Sequence, residues 1–401
     1  MGVCYNCSTR VSLWMAEESD LVMPARITRT FGAIAAAGVL GVTGTVGARA
    51  ALACPAKSAT AYVVNQFANT VTPINTATNT ALKPIKVGDA PNAVAITPNG
   101  KTAYVANQGA GTVTPIRTAT NTALKAISVG SSGGVYMLIA ITPNGKTAYV
   151  RSGVHIVPIN THTNTAGKPV KVPDSADMAM AITPNGKTLY VVADERNTVT
   201  PVNTATNTAL KAITMSSPLG IAITPNSKTA YVTNPLSGTV TPINTATNKA
   251  GKPISVGGTP EAIAITPNGK TAYVTSYSSD TVTPISTATN TALKAIKVRG
   301  GPARIAITPN GKTAYVLSQG SPQGLVTPIS IATNTALKPI TVPVIAWAIA
   351  ITPDSKTAYV TNYLNPGLVT PINTRSNTAL KPITVGSAPI AIAVGPGSPR
   401  R

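Results

Sequence analysis

The chain of 401 residues holds two histidines, three cysteines and 11 acidic side chains, and their spacing builds no catalytic or metal centre. A structural zinc site takes about four convergent nitrogen or sulfur ligands. His155 and His162 have no third partner in the pattern, and Cys4 and Cys7 form a lone Cys-Tyr-Asn-Cys without a second pair. The pairs Asp174/Asp177 and Asp194/Glu195 carry oxygens that suit a hard cation, yet carboxylates scattered on loops are ordinarily just solvated. No glycine-rich phosphate loop and no serine or cysteine nucleophile motif stands out. These residues argue for binding rather than catalysis, with no cofactor and no metal expected.

The abundant chemistry is cationic. The formal net charge is +21, and from Pro55 onward 28 Lys and Arg face 8 Asp and Glu, a net of +20. Lys101, Lys146, Lys187, Lys228, Lys270, Lys312 and Lys356 recur at one position of a repeated Pro-Asn-Gly-Lys turn or its variants. Lys83, Lys125, Lys168, Lys211, Lys252, Lys294, Lys338 and Lys381 recur at a second position. A face carrying both series would attract polyanions by counterion release, whether nucleic acid, a cell-wall polymer or an anionic lipid surface. The competing reading is a soluble, self-repelling surface copied along with the repeat. Aromatics that could stack bases are scarce, at 4% of the chain.

The repeat positions these groups. Residues 261–298 read as four short strands, Ala-Ile-Ala-Ile-Thr, Thr-Ala-Tyr-Val-Thr, Thr-Val-Thr-Pro-Ile and Leu-Lys-Ala-Ile-Lys-Val, separated by turn-forming residues. The second strand carries Tyr62, Tyr104, Tyr149, Tyr190, Tyr231, Tyr273, Tyr315 and Tyr359, spaced by 42, 45, 41, 41, 42, 42 and 44 residues. A period of this length with four strands per unit predicts an all-β fold, a β-propeller of four-stranded blades. Each strand type occurs eight times, which predicts eight blades, with seven as the alternative. The repeat starts at a second strand and ends after an inner one, Ile390 to Val394, so the terminal strands are expected to share one blade and remove two open sheet edges. The proline of each Thr-Pro-Ile lacks a ladder donor, so a bulge or break is expected in that third strand.

Turns joining first to second and third to fourth strands share one face, and both lysine series are expected there. The other face varies between copies, which is where recognition usually sits on a rigid scaffold. Aligning the copies gives a channel-mouth ring of Asn92, Met137, Met178, Leu219, Glu261, Ala303, Trp347 and Ile390, with Tyr136 and Arg304 adjacent. Variable loops add Phe67, Asp194, Glu195, Arg196, Tyr277, Asp280, Gln319 and Tyr363. From this set Asn92, Tyr136, Met137, Met178, Glu261, Arg304 and Trp347 are the ligand-binding candidates, suited to a small ligand or a peptide end. The alternative is a mouth plugged by irregular loops.

Residues 1–54 contain no copy of the unit. Arg26 and Arg29 precede an apolar run from Phe31 to Ala48, followed by Ala51-Leu52-Ala53, the order of an export signal. Five glycines weaken the run as a membrane span, and Cys54 raises lipoprotein processing as an alternative. We expect an N-terminal extension with export signal over 1–54, a single propeller over 55–401, an extracellular or envelope location, no stable membrane span in the mature chain, and a monomer.

The motif Tyr231-Val232-Thr233-Asn234, repeated at Tyr359-Val360-Thr361-Asn362 with near-copies at Tyr104 and Tyr62, resembles the YVTN family of β-propeller repeat proteins. The resemblance spans about residues 56 to 395. It implies a propeller of the exported or surface-layer kind, acting on an unidentified protein or cell-surface polymer, with nucleic-acid binding as an alternative. The chain uses Thr-Pro-Asn-Gly where Ser-Pro-Asp-Gly is common in that family, which removes acids that calcium or acid-base chemistry would need. A lactonase- or quinoprotein-like enzyme is the third reading, without an equivalent catalytic cluster in this sequence.

Overall fold

Strands of this chain are apolar on both faces because both faces are covered. In Thr229–Asn234 every residue after the first is buried, with Ala230 and Val232 on one side and Tyr231 and Thr233 on the other. The same pattern recurs in Thr60–Asn65, Thr102–Asn107 and their counterparts, so each sheet must stack between two others. The structure, a computed structural model, describes residues 59–130, 136–173, 178–321 and 323–395, with backbone only for Met178. The export segment and Cys4, Cys7, Cys54, Asp174 and Asp177 lie outside the described residues.

Eight antiparallel sheets form an eight-bladed β-propeller. A typical blade runs from inner strand Pro91–Ile96 to Thr102–Asn107 and Thr112–Arg117, ending in an outer strand. The closing blade is assembled from both ends of the repeat region. Pro389–Val394 pairs with Thr60–Asn65, setting Tyr62 opposite Ala393 and Val63 opposite Ile392. The tally of eight therefore holds, and the terminal strands share one blade.

Proline acts differently from expectation. The third strand is continuous, and its proline stands directly opposite the repeat tyrosine in all eight blades, as in Tyr62↔Pro73 and Tyr231↔Pro242. The interruption falls in the neighbouring outer strand, which splits into pieces such as Thr80–Ala81 and Ile85–Lys86, both paired with Thr70–Asn75. In a ladder one residue's N–H and C=O point to the same neighbour. The Pro73 carbonyl accepts from the Leu82 N–H at 2.8 Å, so the donor that proline lacks is also missing on that side. The outer strand peels away there, leaving Leu-Lys-Pro, Leu-Lys-Ala or Gly-Lys-Pro on the circumference with its lysine exposed. Among the described residues no long outer edge is left to recruit another chain.

Neighbouring blades are joined by one repeated hydrogen bond. Each tyrosine hydroxyl donates to an asparagine Oδ1 in the next blade's Thr-Ala-Thr-Asn turn or its variant: Tyr62 to Asn121 and Tyr104 to Asn164 at 2.6 Å, Tyr231 to Asn290 and Tyr273 to Asn334 at 2.5 Å. The series closes with Tyr359 donating to Asn79, from last blade to first. These turn asparagines are left-handed, with φ between 52 and 55°, a conformation Asn adopts more readily than most residues. Burial pushes the Tyr104, Tyr149, Tyr190, Tyr273 and Tyr315 phenols up to about 12, so they remain donors at neutral pH. The asparagine of the Tyr-Val-x-Asn motif is also spent internally. The amides of Asn65, Asn107 and Asn234 donate to two threonine hydroxyls each on the third strand, 2.8 to 3.2 Å away. Gly88 makes room for Asn107, since a Cβ there would sit 2.7 Å from the amide nitrogen.

Tyr231→Phe should cost about 1 kcal/mol, read as a lower midpoint of urea unfolding, because it leaves the Asn290 oxygen without its donor. Truncation before Pro389 should abolish cooperative unfolding and give oligomers on size-exclusion chromatography, because it bares the Thr60–Asn65 edge.

Candidate functional site

The channel mouth on the varied face is shaped by bulges at the start of the inner strands. Pairing slips by one residue at Asn92, at Ala303, at Trp347, at Ile390 and within Glu261-Ala262, between the leading Pro or Ala and the regular ladder that follows. A bulge bends its strand and re-aims a side chain. The residues aligned by sequence as a mouth ring thus coincide with the position where the ladder is released in five of eight blades.

The ring is not uniform. Asn92 is buried and its amide donates to the Met137 carbonyl at 2.8 Å, bridging the second and third blades, and Met137 is itself fully buried. Ala303 and Ile390 are buried as well, while Leu219, Glu261 and Trp347 are half-buried. Met178 opens its inner strand in register with Ala193. Among the ring residues whose side chains are described, Leu219, Glu261 and Trp347 are the ones left partly exposed.

Glu261 and Arg304 interact across the mouth from the sixth and seventh blades. Burial pushes the Glu261 carboxyl up to about 7, and Arg304 partly offsets this. Burial likewise pulls the Arg304 guanidinium below its usual value, opposed by Glu261. Arg304 occupies a strand position that is alanine in Ala93, Ala348 and Ala391, so the pair departs from the repeat. The Glu261 carbonyl accepts from the Thr233 hydroxyl at 2.9 Å, tying the backbone beneath the carboxyl to the fifth blade.

Aromatic side chains gather on the same face. Tyr363 is the hub: its ring lies 5.3 Å from Trp347, tilted by 32°, and 6.0 Å from Phe67, edge-on at 72°. Tyr136 also faces Tyr363, and a hydrogen bond joins its phenol to the Gln66 side chain. Burial, with Tyr363 adding to it, pushes that phenol up to about 12. Phe67 is 59% exposed. The eight repeat tyrosines are at most 1% exposed. The five other aromatics among the described residues, Phe67, Tyr136, Tyr277, Trp347 and Tyr363, all stand on the varied face, four of them in this cluster. Sequence alignment placed Trp347 and Tyr136 at the mouth and Phe67 and Tyr363 in loops. Their meeting depends on closure, which puts the loop of the first blade beside that of the eighth.

Other candidates separate. His155 opens the strand His155–Asn160 and His162 lies in the turn beyond its far end, on the opposite face of the disc. Asp194 accepts from the Ser217 hydroxyl at 2.6 Å and Asp280 from the Gly301 amide at 2.8 Å, so both serve the loop framework. The lysines from Lys101 to Lys356 are all exposed on the turn face. The second series is misplaced by the sequence reading. Lys83 and its counterparts sit in the outer-strand break, level with the third-strand proline, and so occupy the circumference rather than the turn face.

No protein-family profile and no curated protein matches the chain. Solved structures do. Dihydro-heme d1 dehydrogenase NirN, in complex with DHE, superposes with a TM-score of 0.70 at 13% identity, over 84% of this chain and 75% of its own. Apo AztD from Citrobacter koseri gives 0.64 at 13% identity over 86% and 100%. A functionally unknown protein from Desulfotomaculum acetoxidans gives 0.58 at 18% identity over 84% and 99%. At such identities the likeness is one of fold.

Glu261 makes stability depend on pH. Its folded value lies above that of an unfolded glutamate, so its contribution is complete below about pH 4.5 and is lost as pH rises toward 7. Glu261→Gln should flatten the fall in urea stability between pH 4.5 and 7.5, removing a pH-dependent loss on the order of 1–3 kcal/mol from the native protein.

Proposed function

We propose that this chain is an exported propeller of the YVTN-like type, with an export segment over 1–54 and a binding domain over 55–401. On this reading it takes a protein or cell-surface polymer at the varied face, without catalysis. The supporting observation is the aromatic cluster over the channel mouth. Trp347, Tyr363, Phe67 and Tyr136 come from the eighth, first and third blades, outside the repeat's own pattern, and one of them is well exposed. Clustered Trp, Tyr and Arg at the centre of a patch is the composition of binding hot spots. Glu261 and Arg304 add a partly desolvated charged pair that can discriminate between ligands.

A comparison of faces favours the same side. Turns of the opposite face repeat nearly unchanged, whereas the loop position after the second strand holds Gln66, Tyr277, Gln319 and Tyr363 in four blades, with Phe67 one residue further along the first. Among the described residues no helix is long and apolar enough to cross a membrane. Export would be tested by the mature N-terminus, expected by mass spectrometry close to Cys54.

Trp347 is the single tryptophan after residue 54, so its emission reports on the mouth. Titration with cell-wall oligosaccharides and short peptides should shift that emission for a cognate class. Tyr363→Ala should weaken binding at least about tenfold, as expected for a hot-spot residue, and Lys101→Gln should leave it unchanged. Turnover of any such probe that is lost in Glu261→Gln would replace the binding reading with an enzymatic one.

A further inference from the structure

The disc is charge-segregated. Asp89, Asp194, Glu195, Glu261 and Asp280 lie on the varied face or its mouth. Among the described residues the turn face carries a single acid, Asp354, paired with Lys356 at 3.8 Å. Against it stand the exposed lysines 101, 146, 187, 228, 270, 312 and 356, with Lys249, Arg117 and Arg375 also exposed on the same side. Seven lysines, not eight, share the turn position because in the closing blade the inner and second strands are the two ends of the repeat region.

These lysines are held by their backbones, and of their ammonium groups that of Lys356 has an acid beside it. The main-chain N–H of Lys101, Lys146, Lys187, Lys228, Lys270 and Lys312 donates to the turn asparagine at 2.9 to 3.0 Å, and that of Lys356 to Asp354 at 3.0 Å. The turns also brace one another. The Thr97 hydroxyl donates to Asn99, and the Thr118 hydroxyl ties the neighbouring turn to the Gly100 carbonyl at 2.5 Å. One turn type at one blade position therefore sets seven cations at one height around a rigid ring.

We propose that this face docks the protein flat on an anionic lipid bilayer. The partner's shape follows from the array. A linear polymer laid across a ring meets the sectors along its path, whereas a sheet of anionic headgroups meets all seven at once. Single-stranded nucleic acid would also need exposed rings to stack on, and no exposed aromatic among the described residues lies on this face. Basic residues near such a membrane each add about fivefold to the affinity, an attraction that falls off within a Debye length. Docked this way, the varied face points away from the bilayer, so the inference is independent of the mouth reading.

The test is co-sedimentation of the mature chain with vesicles of phosphatidylglycerol and phosphatidylcholine, against phosphatidylcholine alone. We expect binding to the anionic vesicles only, abolished between about 50 and 500 mM salt. The quadruple variant Lys101→Gln, Lys187→Gln, Lys270→Gln, Lys356→Gln should lose on the order of a hundredfold or more in affinity. The circumferential quadruple Lys83→Gln, Lys168→Gln, Lys252→Gln, Lys338→Gln should lose clearly less. Equal binding to phosphatidylcholine, equal loss in the two quadruples, or tighter binding of heparin or duplex DNA than of anionic vesicles would overturn the proposal. Salt dependence of the native chain needs no substitution and decides the matter if a variant fails to fold.

Discussion

A phenol hydroxyl reaching across to an amide oxygen in the adjacent blade, repeated eight times around a circle, is the contact on which the architecture rests. It ties a strand buried in one sheet to a turn at the surface of the next. It also explains why tyrosine and asparagine recur together. Asparagine accepts the bond in a left-handed conformation that would strain most residues, and the buried phenol needs a partner to avoid the cost of an unsatisfied donor. Ala, Val and Ile fill the rest of each interface, so packing supplies cohesion and this bond supplies register.

Prolines reinforce the same geometry. In successive turns the ring of one proline faces the next blade's left-handed glycine: a Cβ added to Gly145 would sit 3.3 Å from Pro98 Cδ, and one added to Gly311 3.5 Å from Pro267 Cδ. Where serine replaces that glycine, at Ser227 and Ser355, its hydroxyl accepts the main-chain N–H of Asn185 or Asn310 in the preceding blade. The turn face is thus a braced rim, fit to hold charge in fixed positions. The varied face is different: its loops meet through side chains that differ from blade to blade, such as Tyr363 with Phe67 and Asn92 with Met137.

Much of this was legible in the sequence because repetition multiplies a weak signal. Eight tyrosines at near-constant spacing count the blades, and the mismatch between the first and last strand types locates the shared blade. Two features were hidden for physical reasons. The consequence of Pro73 and its counterparts depends on which side of the strand their missing donor faces, and strand alternation alone does not give this. The meeting of Phe67, Trp347, Tyr363 and Tyr136 is a product of ring closure, which brings together residues from opposite ends of the sequence. The alignment that listed mouth positions also treated them as equal, whereas Asn92 and Met137 are buried at the joint between two blades and Trp347 and Glu261 stay half-buried.

The shared blade has a last implication. The bond from Tyr359 to Asn79 is chemically the same as the seven others, and Pro389–Val394 meets Thr60–Asn65 with the bulge seen in ordinary blades. Strand pairing at the closing junction is that of an ordinary blade, and what differs is the missing turn between inner and second strands. The point at which the polypeptide enters the circle is therefore not distinguished by its strand pairing. A circular permutant opened at another turn would inherit an equivalent joint, and gene duplication could lengthen such an array by whole blades without inventing a new interface.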